Sequence, residues 1–132
     1  MSAAPPGPDL ETFQTMAEAA YDGLPDAFRH AAGRIVIHVQ DIAEQDILDD
    51  FGIADPLELT GLYQGIPLIH DSVSFPQPET ARIFLYRLPL LAEIRTRPDV
   101  TLSELIEHVV IHELGHHFGW SDEEMHRLLD EA

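Results

Sequence analysis

The 132-residue chain contains no cysteine. Disulfides and thiolate metal ligands are therefore excluded, and any bound metal must rest on imidazole, carboxylate or water. Positive charge is scarce too, with 7 Lys and Arg against 24 Asp and Glu and a formal net charge of -17. Such a field repels phosphate backbones, which argues against nucleic acid as a partner and against a nuclease. Long apolar runs are also missing, so no membrane-spanning segment is expected. The start, M-S-A-A-P-P-G-P, lacks the basic and apolar regions of a secretory signal. A soluble, cytoplasmic protein, monomeric by default, is the expectation.

What is present is globular in kind. A composition 45% hydrophobic and 23% charged can build a core, and the length suits one domain. Residues Met1–Pro8 are small and proline-rich and predict a flexible tail, followed by a single domain over residues 9–132. There are no internal repeats.

Asp9 is a candidate cap for a helix with Leu10, Phe13, Ala17 and Ala20 on one face, and a second helix is predicted over Asp26–Ala32, ended by Gly33. Arg34–Gln40 (R-I-V-I-H-V-Q) alternates as a strand, with Ile35, Ile37 and Val39 on one face and His38 on the other. His38 alone on a strand reads as a surface or hydrogen-bonded residue. Asp41–Phe51 predicts a short acidic helix closed by Gly52, and Asp55–Gly61 a loop. Leu62–Ile69, broken by Gly65 and Pro67, reads as an edge strand or irregular ribbon. Arg82–Leu88 (R-I-F-L-Y-R-L) is the clearest remaining strand, with pairing limited by Pro89.

The strongest helix signals follow Asp99. Thr101 and Glu104 form a capping-box pattern, and Leu102, Leu105, Ile106, Val109 and Val110 recur at helical spacing. This amphipathic helix is predicted to end near Phe118, where Gly119 suits a left-handed turn. Ser121 and Glu124 repeat the capping pattern and predict a short C-terminal helix to about Leu129.

Within the strong helix the chain reads H-E-L-G-H-H-F-G-W-S-D, residues 112–122. His112 and His116 are four apart, so a helix projects both imidazoles to one side, where they can take adjacent corners of a tetrahedral zinc ion (Zn2+). Glu113 lies about 100° around the helix. It stands beside the metal, placed to take a proton from a zinc-activated water.

A third ligand is required. In H-E-x-x-H-x-x-G-x-x-H enzymes a glycine turn delivers it six positions after the second histidine, and here that position is Asp122. Its carboxylate is an acceptable zinc ligand, with Glu123 and His126 as alternatives. His117 points about 100° away from His116 and reads as a packing or supporting group. His108 continues the ladder of His112 and His116, but about 12 Å separates its ends, so one metal cannot hold all three. Trp120 and Met125 read as core residues.

These residues resemble the small bacterial zincin-like metallopeptidases, the minimal zincins. The likeness rests on H-E-x-x-H-H-F-G near the C-terminus with an acidic residue shortly after, on G-L-Y-Q-G-I-P-L (61–68) and on I-F-L-Y-R (83–87). It covers about residues 20–130. The resemblance implies an α+β fold in which a small mixed β-sheet packs on the active-site helix, with one strand edging the cleft. It implies His112, His116 and Asp122 as zinc ligands and Glu113 as general base, acting on a peptide or protein substrate. Asp122 in place of histidine and the absence of a Met-turn depart from the metzincins. Arg82–Leu88 is expected to be an edge strand able to pair with an extended peptide. Tyr63 and Tyr86 are candidates for the oxyanion, each with packing as the simpler role. The alternative is a catalytically silent or regulatory zinc-binding module for peptides, against which Glu113 speaks, since a structural site has no need of it.

Overall fold

The computed structural model describes residues 7–65 and 81–119. Helix α1 (Leu10–Asp22) begins at Asp9, whose carboxylate accepts the Thr12 N–H at 2.8 Å, and buries Phe13 and Ala17 on one stripe. Helix α2 (Asp26–Ala32) stops at Gly33, which takes φ 72°. Strand β1 (Ile35–Gln40) follows, then helix α3 (Gln45–Asp50), a single 3-10 turn at Pro56–Glu58 and strand β2 (Gly61–Gln64). Strand β3 (Ala81–Tyr86) leads directly into helix α4 (Arg87–Ile94), and helix α5 (Leu102–Phe118) completes the described chain.

The sheet has the order β1-β3-β2, with β1 parallel and β2 antiparallel to β3. Alternation along β3 supplies two cores. Ile83 and Leu85 face α1 and α5, joining Phe13, Ile37, Ile106, Val110 and Leu114. Phe84 and Tyr86 face the other way, into a smaller cluster with Ala43, Leu48 and Leu62. On the larger face α1 packs on β1, while α5 packs on β2, β3 and α1. This is the expected α+β arrangement, a small mixed sheet on the helix that carries the histidine motif. No helix among the described residues is long and apolar enough to cross a membrane. The expected C-terminal helix, with Trp120 and Met125, lies outside the described residues.

Two expectations are corrected. The strand predicted over Arg82–Leu88 ends at Tyr86, and Arg87 already opens α4. Pro89 sits in the first turn of that helix, where a missing N–H removes no helical bond. The buried Arg87 guanidinium donates to Asp41 at 2.7 Å and to the Pro8 carbonyl at 3.1 Å, turning the chain away from the sheet. Second, β3 is the central strand and not an edge, because both its faces are apolar and both its sides carry ladders. Among the described residues the edges are β1 and β2. Helix α5 keeps the two faces expected of it: Leu105, Ile106, Val109, Val110, Glu113, Leu114 and His117 are buried, and Ser103, Glu104, Glu107, His108 and His116 are exposed. It is packed by α1, α4 and the sheet, and buries eight residues including Glu113, Gly115 and His117.

Candidate metal centre

The start and end of α5 are set locally. Thr101 Oγ1 accepts the Glu104 N–H at 3.1 Å and the Glu104 carboxylate accepts the Thr101 N–H at 3.0 Å, so two donors at the helix start are satisfied reciprocally. Gly119 adopts φ 74°, ψ 23°, the left-handed conformation that a side chain would strain, and its N–H bonds the His116 carbonyl at 3.0 Å. The helix therefore ends at Phe118, two residues after His116.

Between these ends, His112, Glu113 and His116 come together. One ligand atom from each, two imidazole nitrogens and a carboxylate oxygen, all lie within 4.8 Å of one another. The two imidazole rings are 5.1 Å apart and nearly perpendicular, at 84°. His116 is exposed and His112 half-buried, whereas Glu113 is only 8% exposed. Burial disfavours its charged form and raises its pKa from 4.5 to about 7. Without a metal, burial thus makes this carboxyl group hold a proton more tightly than an exposed glutamate does.

Strand β2 lies directly over this turn of α5. A Cβ added to Gly61 would stand 2.7 Å from Val109 Cγ1 and 3.4 Å from Glu113 Cγ. Gly61 thus lets the strand backbone approach the glutamate, a role that nothing in the local sequence announces. Two residues on, the Tyr63 hydroxyl lies 2.8 Å from His117 Nδ1, and His117 Nε2 lies 2.6 Å from the Ala32 carbonyl. A carbonyl can only accept, so Nε2 carries a proton, and in the neutral ring Nδ1 then accepts from the Tyr63 O–H. His117 is 4% exposed and supports the site without joining it, in line with its reading as a packing group. Tyr63 has its proton engaged by His117 and is a tether in this arrangement, not an oxyanion donor.

The remaining sequence candidates fall into place by position. Tyr86 is fully buried at the β3–α4 junction, and its hydroxyl has no partner among the described residues. Burial, then the negative charges of Glu44 and Glu113, push its pKa up to about 12. His108 is exposed, outside the donor group, and lines a separate cleft of about 250 Å³ with Arg97, Glu104 and Ile111. His38 stacks on Phe84 with ring centroids 5.0 Å apart, and its Nε2 is buried without a partner among the described residues, so it is a packed histidine and not a surface one. Asp122, Glu123 and His126 lie outside the described residues.

A family model described as zincin-like metallopeptidase matches residues 32–131, a span running from the last residue of α2 through the whole sheet and α5. Comparison with curated proteins finds no match.

Proposed function

Because this chain belongs to the zincin-like metallopeptidase family, we propose that it is a zinc-dependent peptidase in which His112, His116 and Asp122 hold the metal and Glu113 is the general base. The observation that carries this reading is the meeting of His112, Glu113 and His116 on one turn of α5, with the carboxylate buried and its pKa raised to about 7. The donor set fits zinc: two neutral imidazoles with a carboxylate are ligands this ion accepts, although iron, cobalt and nickel accept them too.

When bound, zinc supplies a Lewis acid that polarises a carbonyl and lowers the pKa of water towards neutrality. The chain's own residues do the rest. A Glu113 carboxylate oxygen takes the proton of the attacking water, and the same oxygen returns it to the departing amine nitrogen. Burial keeps bulk water from Glu113 and raises its proton affinity, and a bound cation would act in the opposite sense. Strand β2, close above Glu113, is the element we assign to hold an extended peptide substrate, in place of the central strand β3. The net charge of -17 favours peptide over nucleic acid as the substrate.

The test is a pair of variants. Glu113→Gln is expected to keep zinc, measured by elemental mass spectrometry, and to lose cleavage of a peptide library. Asp122→Ala is expected to lower zinc occupancy. Cleavage preserved in Glu113→Gln refutes the assigned base, and unchanged zinc affinity in Asp122→Ala removes that ligand. Zinc loading with no cleavage of any peptide would favour the binding-module reading.

A further inference from the structure

Among the described residues strand β1 is the edge of the sheet away from β2 and the metal centre. In parallel pairing, alternate residues of a strand make both ladder bonds to the neighbour. The Arg34 carbonyl accepts the Ala81 N–H at 3.2 Å, so Val36, His38 and Gln40, in step with Arg34, carry the ladder to β3. Ile35, Ile37 and Val39 therefore turn their backbone groups outward. Gln14 of α1 fills one outward position: its Nε2 donates to the Ile37 carbonyl at 2.7 Å and its Oε1 accepts the Val39 N–H at 3.1 Å. These are the two bonds that a residue of an added strand would make.

One step towards the start of β1, the equivalent pair is the Ile35 carbonyl and the Ile37 N–H, and no described residue bonds to either. They border a cleft of about 410 Å³ between β1 and the second half of α1, lined by Glu18, Tyr21, Asp22 and residues 35–37. Val36, 42% exposed, leaves apolar surface beside it.

We infer that this cleft is a docking groove for an extended peptide segment bearing lysine or arginine at alternate positions, which adds to β1 as a short strand at Ile35 and Ile37. The walls select the charge. Glu18 and Asp22 are both exposed, and among the described residues no basic side chain lines the cleft. Their spacing of four residues on a helix sets them about 6 Å apart along its axis. Same-side residues of a strand are about 6.7 Å apart, so two alternate basic side chains meet the two carboxylates in step. A second copy of this chain would bring like carboxylates together and set -17 against -17, which disfavours self-pairing at this edge. The groove does not depend on the peptidase reading.

The test uses the full chain in its Glu113→Gln form, so that the probe is not cut, and a fluorescein-labelled, capped Lys-Val-Lys-Val-Lys peptide. Binding is expected at low salt, with amide shifts concentrated at Ile35 and Ile37 in NMR spectra. The double variant Glu18→Lys/Asp22→Lys, altered only at exposed positions, is expected to bind at least tenfold more weakly. Equal binding by that variant or by a Glu-Val-Glu-Val-Glu peptide overturns the inference. So do shifts confined to Gly61–Gln64, or a protein dimer through β1 that excludes the probe.

Discussion

In the metal-free protein, Glu113 should make folding stability depend on pH in an unusual direction. Its pKa stands at about 7 in the folded chain against an ordinary 4.5, so the folded state holds this proton more tightly than the unfolded state does. The stability it contributes is complete below pH 4.5 and is lost as the pH rises through about 7. Across that interval the difference is worth about 3 kcal/mol. Glu113→Gln, of the same shape but without the titration, isolates the effect from the other 23 acidic residues. Urea denaturation followed by circular dichroism, in the presence of a chelator, should find the two proteins similar near pH 4.5 and the glutamine form more stable by about 3 kcal/mol at pH 8. A difference that stays flat between those pH values would refute the burial argument for this residue. Zinc should shrink the effect, since a cation beside the carboxylate favours its charged form.

Three further substitutions test the frame around the site. Gly61→Ala drives a methyl group to 2.7 Å from Val109 and 3.3 Å from the Phe84 carbonyl, and should cost about 1–3 kcal/mol in chemical denaturation while weakening zinc binding. Tyr63→Phe leaves the buried His117 Nδ1 without a donor and should cost about 1–3 kcal/mol in urea, with the secondary structure intact by circular dichroism. Thr101→Ala removes half of the capping box of α5 and should cost about 1 kcal/mol, read as a lowered thermal midpoint.

What could be read along the chain was what is decided locally. The capping pair Thr101 and Glu104, the stop at Gly119 and the four-residue spacing of His112 and His116 all act within a turn or two, and each appears where the pattern predicts. The end of β3 was not legible, because the turn at Arg87 depends on Asp41, 46 residues away, and on the Pro8 carbonyl. Pro89 pointed to limited strand pairing, yet its place is the first turn of a helix, and the apolar residues on both faces of β3 were the better guide to its central position. The two partners of His117 lie 54 and 85 residues back in sequence, so no local pattern could name them. Burial of Glu113 likewise comes from β2 arriving over it at Gly61, a tertiary event.

The bonds from Tyr63 to His117 and from His117 to Ala32 also act as a rotational lock. A helix packed by side chains alone can roll about its axis, and a roll of roughly 20° carries a side-chain tip lying about 6 Å from that axis through roughly 2 Å. That displacement equals a whole zinc–nitrogen distance, about 2.0–2.1 Å. His117 neighbours His116 in the chain, and its two ring nitrogens are held by β2 on one side and by the end of α2 on the other. Any roll of this turn has to break both bonds, so the aim of the neighbouring imidazole is set by two segments that contribute nothing to the His112, Glu113 and His116 donor group.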